Sequence, residues 1–294
     1  MRGFLTFISF FLFFLIFPLA IFAYSINTVL NPGYIKEQLV KSKIYEAVSK
    51  SAPTLIKLPQ EEAPPPEEVQ KAFEGFLAKE ITANYLQKKT EPVIDATFAW
   101  LTGKTEATPS INLSDLNEKI EVFAKEKNYP LPQEIRKPLS EPIKLKPTAE
   151  QLRVRKVFQI TLAAPLVLAA ASGLLLLLIF WLAESWKSKL RKLSLALFVP
   201  AILGLPTTLA LAFLFAVITG LVTDQFKGPE FAQLGDSIKG LISLVSTNFL
   251  KTLLIMYGSS LLVSLLLFIV SFFVGNKRKT TAEIPIKPPG QKPT

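Results

Sequence analysis

TAEQLRVRKVFQITLAAPLVLAAASGLLLLLIFWLAESWKSKLRK, residues 148–192, carries three structural signals in succession. Thr148 followed three residues later by Gln151 is a capping box, so a helix opens here. From Phe158 to Ala183 the side chains are almost all apolar, enough to cross a bilayer as a helix. The segment then turns basic in ESWKSKLRK. The helix that the capping box opens need not stop before Ala183. Thirty-five residues would extend about 52 Å, against a hydrocarbon core of about 30 Å. The reading is a span that projects beyond the membrane as a stalk, with Leu152 and Val154 on the projecting part.

Three further stretches have the same character: Phe4–Ala23, Leu193–Val222 and Leu253–Gly275, none with a charge in its apolar centre. Residues 1–23 also fit a secretory signal peptide cut after Ala23. The apolar run exceeds the usual h-region, however, and Ile21 is bulky for a residue preceding a cut, so a retained first span is expected. With the N-terminus taken as cytoplasmic, that side holds ten basic and two acidic residues: Arg2, the 184–192 turn and the 276–294 tail. The segment 24–157 has 20 basic and 18 acidic residues. The asymmetry predicts both termini inside. Arg153, Arg155 and Lys156 oppose it, but long loops often translocate regardless of charge.

Half of the 294 residues are hydrophobic, the mean hydropathy is +0.37, and the formal net charge is +10. The basic excess reads as topology signal and attraction to anionic lipid rather than nucleic-acid binding. The absence of cysteine excludes disulfide and thiolate chemistry, and the absence of histidine removes the commonest general base and metal ligand.

Residues 24–157 are expected to form a small helical domain outside the cytoplasm. Glu67–Lys89 places Val69, Phe73, Leu77, Ile81 and Tyr85 four apart, predicting one amphipathic helix. A shorter helix is expected over Glu91–Thr102, with Pro92 near its start, Gly103 past its end, and Ile94, Phe98 and Leu101 inward. A third runs from an N-cap at Ser114 through Lys127, burying Leu116, Ile120 and Phe123. No period-two strand is evident. EEAPPPEE, 61–68, reads as an extended linker, although its acidic pairs also suggest a cation site or acid–base carboxylates. Five prolines in 129–147 forbid a regular helix and predict an extended return to the membrane.

LNPGYIKEQLVKSKIYEAV, 30–48, leads out of the first span. At about 100° per residue, Ile35 and Leu39 point away from Ile44, Tyr45 and Val48. A break near Val40–Ser42, with Ser42 capping the second piece, would let both sets face one core. Two short helices are predicted, packed on the 67–89 helix and the outer end of the bundle. Residues 229–249 carry a further apolar face and predict an outer amphipathic helix, which either lies in the outer headgroup layer or packs beneath the exported domain. Packing is the reading preferred, because the polar face has few cations.

Inside the spans, small residues suggest close packing: Ala169 with Gly173, and Gly258, Ser259, Ser260 and Ser264. Pro206 is expected to kink the third span, with Thr207 and Thr208 satisfying freed backbone groups. A broken helix suits a transport site, but the spans lack the charged residue that ion-coupled carriers use. Ser42-Lys43, Ser49-Lys50 and Ser51 keep Ser–Lys catalysis formally open, against their reading as solvated surface. Four spans with a large first outer loop resemble the layout of claudin-type and tetraspanin-type proteins. The resemblance is one of layout alone, since the cysteine motifs of those loops have no counterpart here.

The expectation is an all-α integral membrane protein: a first span over 1–23, a helical extracytoplasmic domain over 24–157, a bundle over 158–275 and a basic tail over 276–294. It is expected to be non-enzymatic, with the lipid bilayer and an envelope protein bound through residues 24–157 as partners. No catalytic, cofactor or metal residue is assigned. The alternatives are a transporter or channel component for lipid or another apolar substrate, and a membrane-bound enzyme.

Overall fold

The computed structural model describes residues 2–56, 67–127, 142–144, 148–226, 228 and 231–274. Four of its helices are long and apolar enough to cross a membrane. They are α1 (Arg2–Val29), α7 (Ala149–Trp181), α8 (Trp186–Thr223) and α9 (Ala232–Phe273). Between α1 and α7 lie α2 (Pro32–Lys41), α3 (Ile44–Leu55), α4 (Glu67–Glu80), α5 (Ala83–Leu101) and α6 (Ser114–Glu126). Strands β1 (Ser110–Ile111) and β2 (Ile143–Lys144) pair antiparallel, Ser110 opposite Lys144. This two-residue ribbon is too short to leave a period-two pattern in the sequence, and it leaves the all-α class intact. It is also the part of the proline-rich return that falls among the described residues; the linker 57–66 and the tail 275–294 lie outside them.

The capping box at Thr148 forms as the sequence requires: Thr148 Oγ1 accepts from the Gln151 amide, and Gln151 Oε1 accepts from the Thr148 amide. The 33 residues of α7 extend about 50 Å. The 42 residues of α9 extend about 63 Å. Both exceed the roughly 30 Å a bilayer requires. The expected outer helix at 229–249 and the expected fourth span are therefore one helix among the described residues. The change from amphipathic to apolar near Lys251 alters surroundings, not backbone, because no breaker intervenes.

Among the described residues, three clusters form the core. Phe13 of α1, Ile179 of α7 and Ala196 of α8 meet at one end of the bundle. Ile21 of α1 meets Phe249, Leu253 and Tyr257 of α9 higher up. Phe73, Leu77 and Ile81 meet Leu116 and Ile120 of α6 in the helical domain, with Ala52, Tyr85 and Phe123 against them. The predicted stripe is thus buried, but across two helices. The turn at Ile81–Thr82 breaks 67–89, because Thr82 takes an extended conformation and its hydroxyl caps the Tyr85 amide at 3.2 Å. Consequently α5 starts at Ala83 and carries Pro92 inside it, rather than beginning there. At its end Gly103 adopts φ +79°, the left-handed position where a side chain would be strained. Ser114 is the first residue of α6, not its cap; Leu113 takes that place and Asn112 Oδ1 accepts from the Ser114 amide.

The predicted break in 30–48 is present. Asn31 Oδ1 accepts from the amides of Gly33 and Tyr34, and Pro32 opens α2. Lys43 stands between the helices at φ 57°, ψ 31°, the one described non-glycine residue with positive φ. Ser42 does not cap α3. It ends α2, and its hydroxyl donates to the Leu39 carbonyl.

The most extensive pairing among the described helices is the α8–α9 hairpin. A Cβ on Gly204 would fall within the Tyr257 ring, so glycine is required for this approach. Lower down, Ser264 Oγ donates to the Ser194 carbonyl at 2.9 Å, and the two hydroxyls lie 3.3 Å apart. Ser260 and Ser264 are buried as expected, whereas Ser259 is exposed. The Ala169–Gly173 pair is exposed too, with nothing near the place of a Gly173 Cβ. Ser172 and Ile179, seven apart, are the buried residues of α7. Ala169 and Gly173 lie about 60° and 100° around the helix from Ser172.

Candidate functional site

Among the described residues, those with chemistry in their side chains do not converge. Ser42 is buried with its hydroxyl engaged in its own helix, while Lys43 is exposed. Ser49 Oγ donates to the Glu46 carbonyl. Ser51 is buried as well, so the solvated-surface reading fails for Ser42 and Ser51. Both lie on the face that α2 and α3 turn inward. Of the acidic stretch 61–68, only Glu67 and Glu68 are described. They open α4, where carboxylates favour the positive end of the helix. Glu67 also pairs with Lys71 at 2.6 Å. Among the described residues no group of three or more His, Cys, Asp or Glu can hold a metal ion.

The third span is helical through Pro200 and Pro206. Thr207 and Thr208 donate to the Leu203 and Gly204 carbonyls, four residues back. The Pro206 ring instead deprives the Ile202 carbonyl of its donor. The threonine bonds therefore do not fill the gap left by proline, contrary to expectation.

What the fold builds with care is a joint between the helical domain and the bundle. The helices α2 and α3 sit between α5 and the N-terminal part of α9. Tyr34 Oη donates to the Leu244 carbonyl at 3.3 Å, and Ser237 Oγ donates to the Lys43 carbonyl at 3.4 Å. Gly240 passes the Ser42 side chain, where a Cβ would stand 3.8 Å away. Lys36 bridges α2 to α5 through both oxygens of Asp95, at 2.9 and 3.0 Å.

A second fastening ties the end of α5 to the α7 stalk. The Arg155 guanidinium grips Glu106 with two bonds of 2.7 Å. It also lies over the Trp100 ring, 5.4 Å from the centroid. Such a planar fork satisfies a carboxylate and an aromatic face together. Phe98 meets Phe158 edge-on at 5.7 Å beside it. A Cβ on Gly103 would approach Gln159 Nε2 to 2.8 Å, but that amide is the free end of a flexible side chain, so it is the positive φ of the chain reversal that calls for glycine.

Electrostatics follow the same layout. Hydrogen bonds from Arg155, then its charge, hold the Glu106 carboxyl below its ordinary 4.5. Burial, with Asp115 adding to it, pushes Tyr85 up to about 12. Burial also raises Tyr45, whose hydroxyl is enclosed and unpartnered near Glu91.

The opposite end of the bundle, at the α7–α8 turn, differs in kind. Trp181 and Trp186 flank the turn, 78% and 63% exposed. Lys189 Nζ lies over the Phe180 and Trp186 rings, at 4.4 and 4.9 Å from their centroids. Exposed amphipathic tryptophans beside cations are the pattern of a membrane–water boundary. Sequence reasoning found the basic turn. It missed the cavity between α8 and α9 beside it, because that depends on which face of α9 opposes α8.

Comparison with protein-family models, with curated proteins and with solved structures finds no match.

Proposed function

We propose that this chain is a non-enzymatic integral membrane protein that holds a helical domain, within residues 24–157, outside the cytoplasm for partner binding or complex assembly in the cell envelope. The observation that carries the reading is the double fastening. The domain is tied to α9 through α2–α3 and to α7 through Arg155–Glu106 and Phe98–Phe158. A flexible tether needs no such contacts. A domain held at a set height and orientation suits recognition of another envelope component.

The basic α7–α8 turn and the Lys277, Arg278 and Lys279 run of the tail favour a cytoplasmic position for that end. The helical domain then lies on the other side, with both termini inside. Burial of Phe13, Ile21 and Ser25 of α1 within the bundle supports a retained first span rather than a cleaved leader. The transport reading drew on a broken third helix. Its central residues Gly204 and Thr208 are instead packed in the α8–α9 hairpin, which favours the display reading.

A photocrosslinking residue placed in cells at Glu118 or Val122, both exposed on α6, tests the proposal. A discrete protein adduct, absent when the same residue is placed at Glu184, is expected. Full cellular function from a chain lacking residues 67–127 would overturn it.

A further inference from the structure

Lys187, Arg191 and Leu195 follow one another at four-residue spacing along α8, so they lie on one line of the helix. Two cavities open along that line. One, about 410 Å³, is lined by Ser185, Lys187, Ser188, Arg191 and Lys192. The other, about 460 Å³, continues between α8 and α9 with Leu195, Phe198, Leu265 and Phe268 as its walls. Arg191 and Leu195 border both, so the two adjoin along one path, cationic at one end and apolar at the other.

The details of this path are those of a lipid berth. No carboxylate lines either cavity. None of the ion pairs found among the described residues uses Lys187, Arg191 or Lys192. Glu184, exposed in the adjoining turn, is the one acid close in sequence. The Arg191 guanidinium lies over the Phe272 ring, 5.4 Å from its centroid, at the junction of polar and apolar parts. On the groove floor the Ser264 hydroxyl donates to the Ser194 carbonyl and the Ser194 hydroxyl lies 3.3 Å from the Ser264 hydroxyl, so the floor demands no polar partner from an occupant. Trp181 and Trp186 place the cationic end at headgroup depth, and the groove enters the apolar interior from there.

We infer that this path is a binding site for an anionic phospholipid of the bilayer. Its phosphate sits among Lys187, Arg191 and Lys192, and an acyl chain lies in the groove between Leu195, Phe198, Leu265 and Phe268. Charge complementarity selects this occupant over a second copy of the chain. Two copies meeting symmetrically here would bring the same cations together with no acid in either lining. A zwitterionic lipid would fill the groove but bring an unmatched ammonium to the cationic end. Basic pockets at helix ends on the cytoplasmic side are known to receive anionic headgroups.

The test uses the full chain purified from bilayers containing equal phosphatidylglycerol and phosphatidylcholine, with retained lipid counted by native mass spectrometry as detergent is increased. One phosphatidylglycerol per chain, preferred roughly tenfold over phosphatidylcholine, is expected. The triple variant K187Q/R191Q/K192Q loses that preference. K125Q/K239Q/K251Q, which removes equal charge elsewhere, keeps it. Leu265→Trp fills the groove and lowers retention with the charge unchanged. Equal retention of the two lipids by the unaltered chain overturns the proposal whatever the variants do. So does equal loss from both triple variants, or a dimer joined through Leu195 in place of bound lipid.

Discussion

Gly204→Ala is the sharpest probe of the α8–α9 hairpin. The added methyl would fall within the Tyr257 ring, and Tyr257 is itself buried, packed with Ile21, Phe249 and Leu253. The ring has no open space to enter, so the helices must separate or the side chain must leave its rotamer. Overpacking of this kind costs roughly 1–3 kcal/mol, and Gly204 stands at the upper end because the obstacle is a rigid ring. Alanine in place of glycine regains about 1 kcal/mol of helix propensity. The net expectation is a loss of about 2 kcal/mol. Gly173→Ala is the matched control: the same change in a span helix, where nothing lies near the new methyl. It should be neutral or stabilising by up to about 1 kcal/mol. Equilibrium unfolding of the full chain in mixed detergent micelles, followed by tryptophan fluorescence, measures both. Tyr257→Ala combined with Gly204→Ala completes a cycle, and a favourable coupling of about 2 kcal/mol is expected. If Gly204→Ala and Gly173→Ala agree within about 0.5 kcal/mol, or if the coupling is absent, the close approach is refuted.

Other positions test the helical domain. Lys43→Gly should stabilise the fold by up to about 1 kcal/mol, since left-handed lysine costs about 1–2 kcal/mol and glycine flexibility offsets part of the gain. Lys43→Val should destabilise it, and thermal unfolding separates the two. Thr82→Ala removes the cap of α5 and should cost about 1 kcal/mol, with faster hydrogen exchange at the Tyr85 amide. The Glu106–Arg155 grip has a defined acid limit. The folded pKa of Glu106 lies below 4.5, so its stabilising contribution is complete above 4.5 and is lost as pH falls through the lowered value. Spin labels at Lys104 and Arg153 should keep their distance down to pH 4.5 and separate only in more acid solution. Arg155→Gln should broaden that distance at every pH.

The spans, the capping box and the two-helix reading of 30–48 were legible because each rests on local signals: an apolar run, Thr148 with Gln151, and a phase reversal of apolar side chains. Boundaries were less legible. A stripe with spacing of four continues in phase across Ile81–Thr82, so periodicity hid a break that one threonine cap creates. The reverse held at Lys251, where a change in polarity suggested two helices and the backbone is one. Ala169–Gly173 shows the limit of motif reading in lipid, since small spacing marks a face able to pack without saying that a partner is present. The joint was expected as apolar contact. Its polar fastenings, such as Arg155 with Glu106 and Trp100, join residues about fifty positions apart and leave no local trace.

The central claim is that the helical domain and the α7–α8 turn lie on opposite sides of a membrane. The chain has no cysteine, so single cysteines replacing Glu118, Lys239 and Glu184 report position without background. All three positions are exposed. In intact cells a membrane-impermeant thiol reagent should label positions 118 and 239, and reach position 184 only after permeabilisation. Labelling of position 184 in intact cells while position 118 is protected would contradict the account.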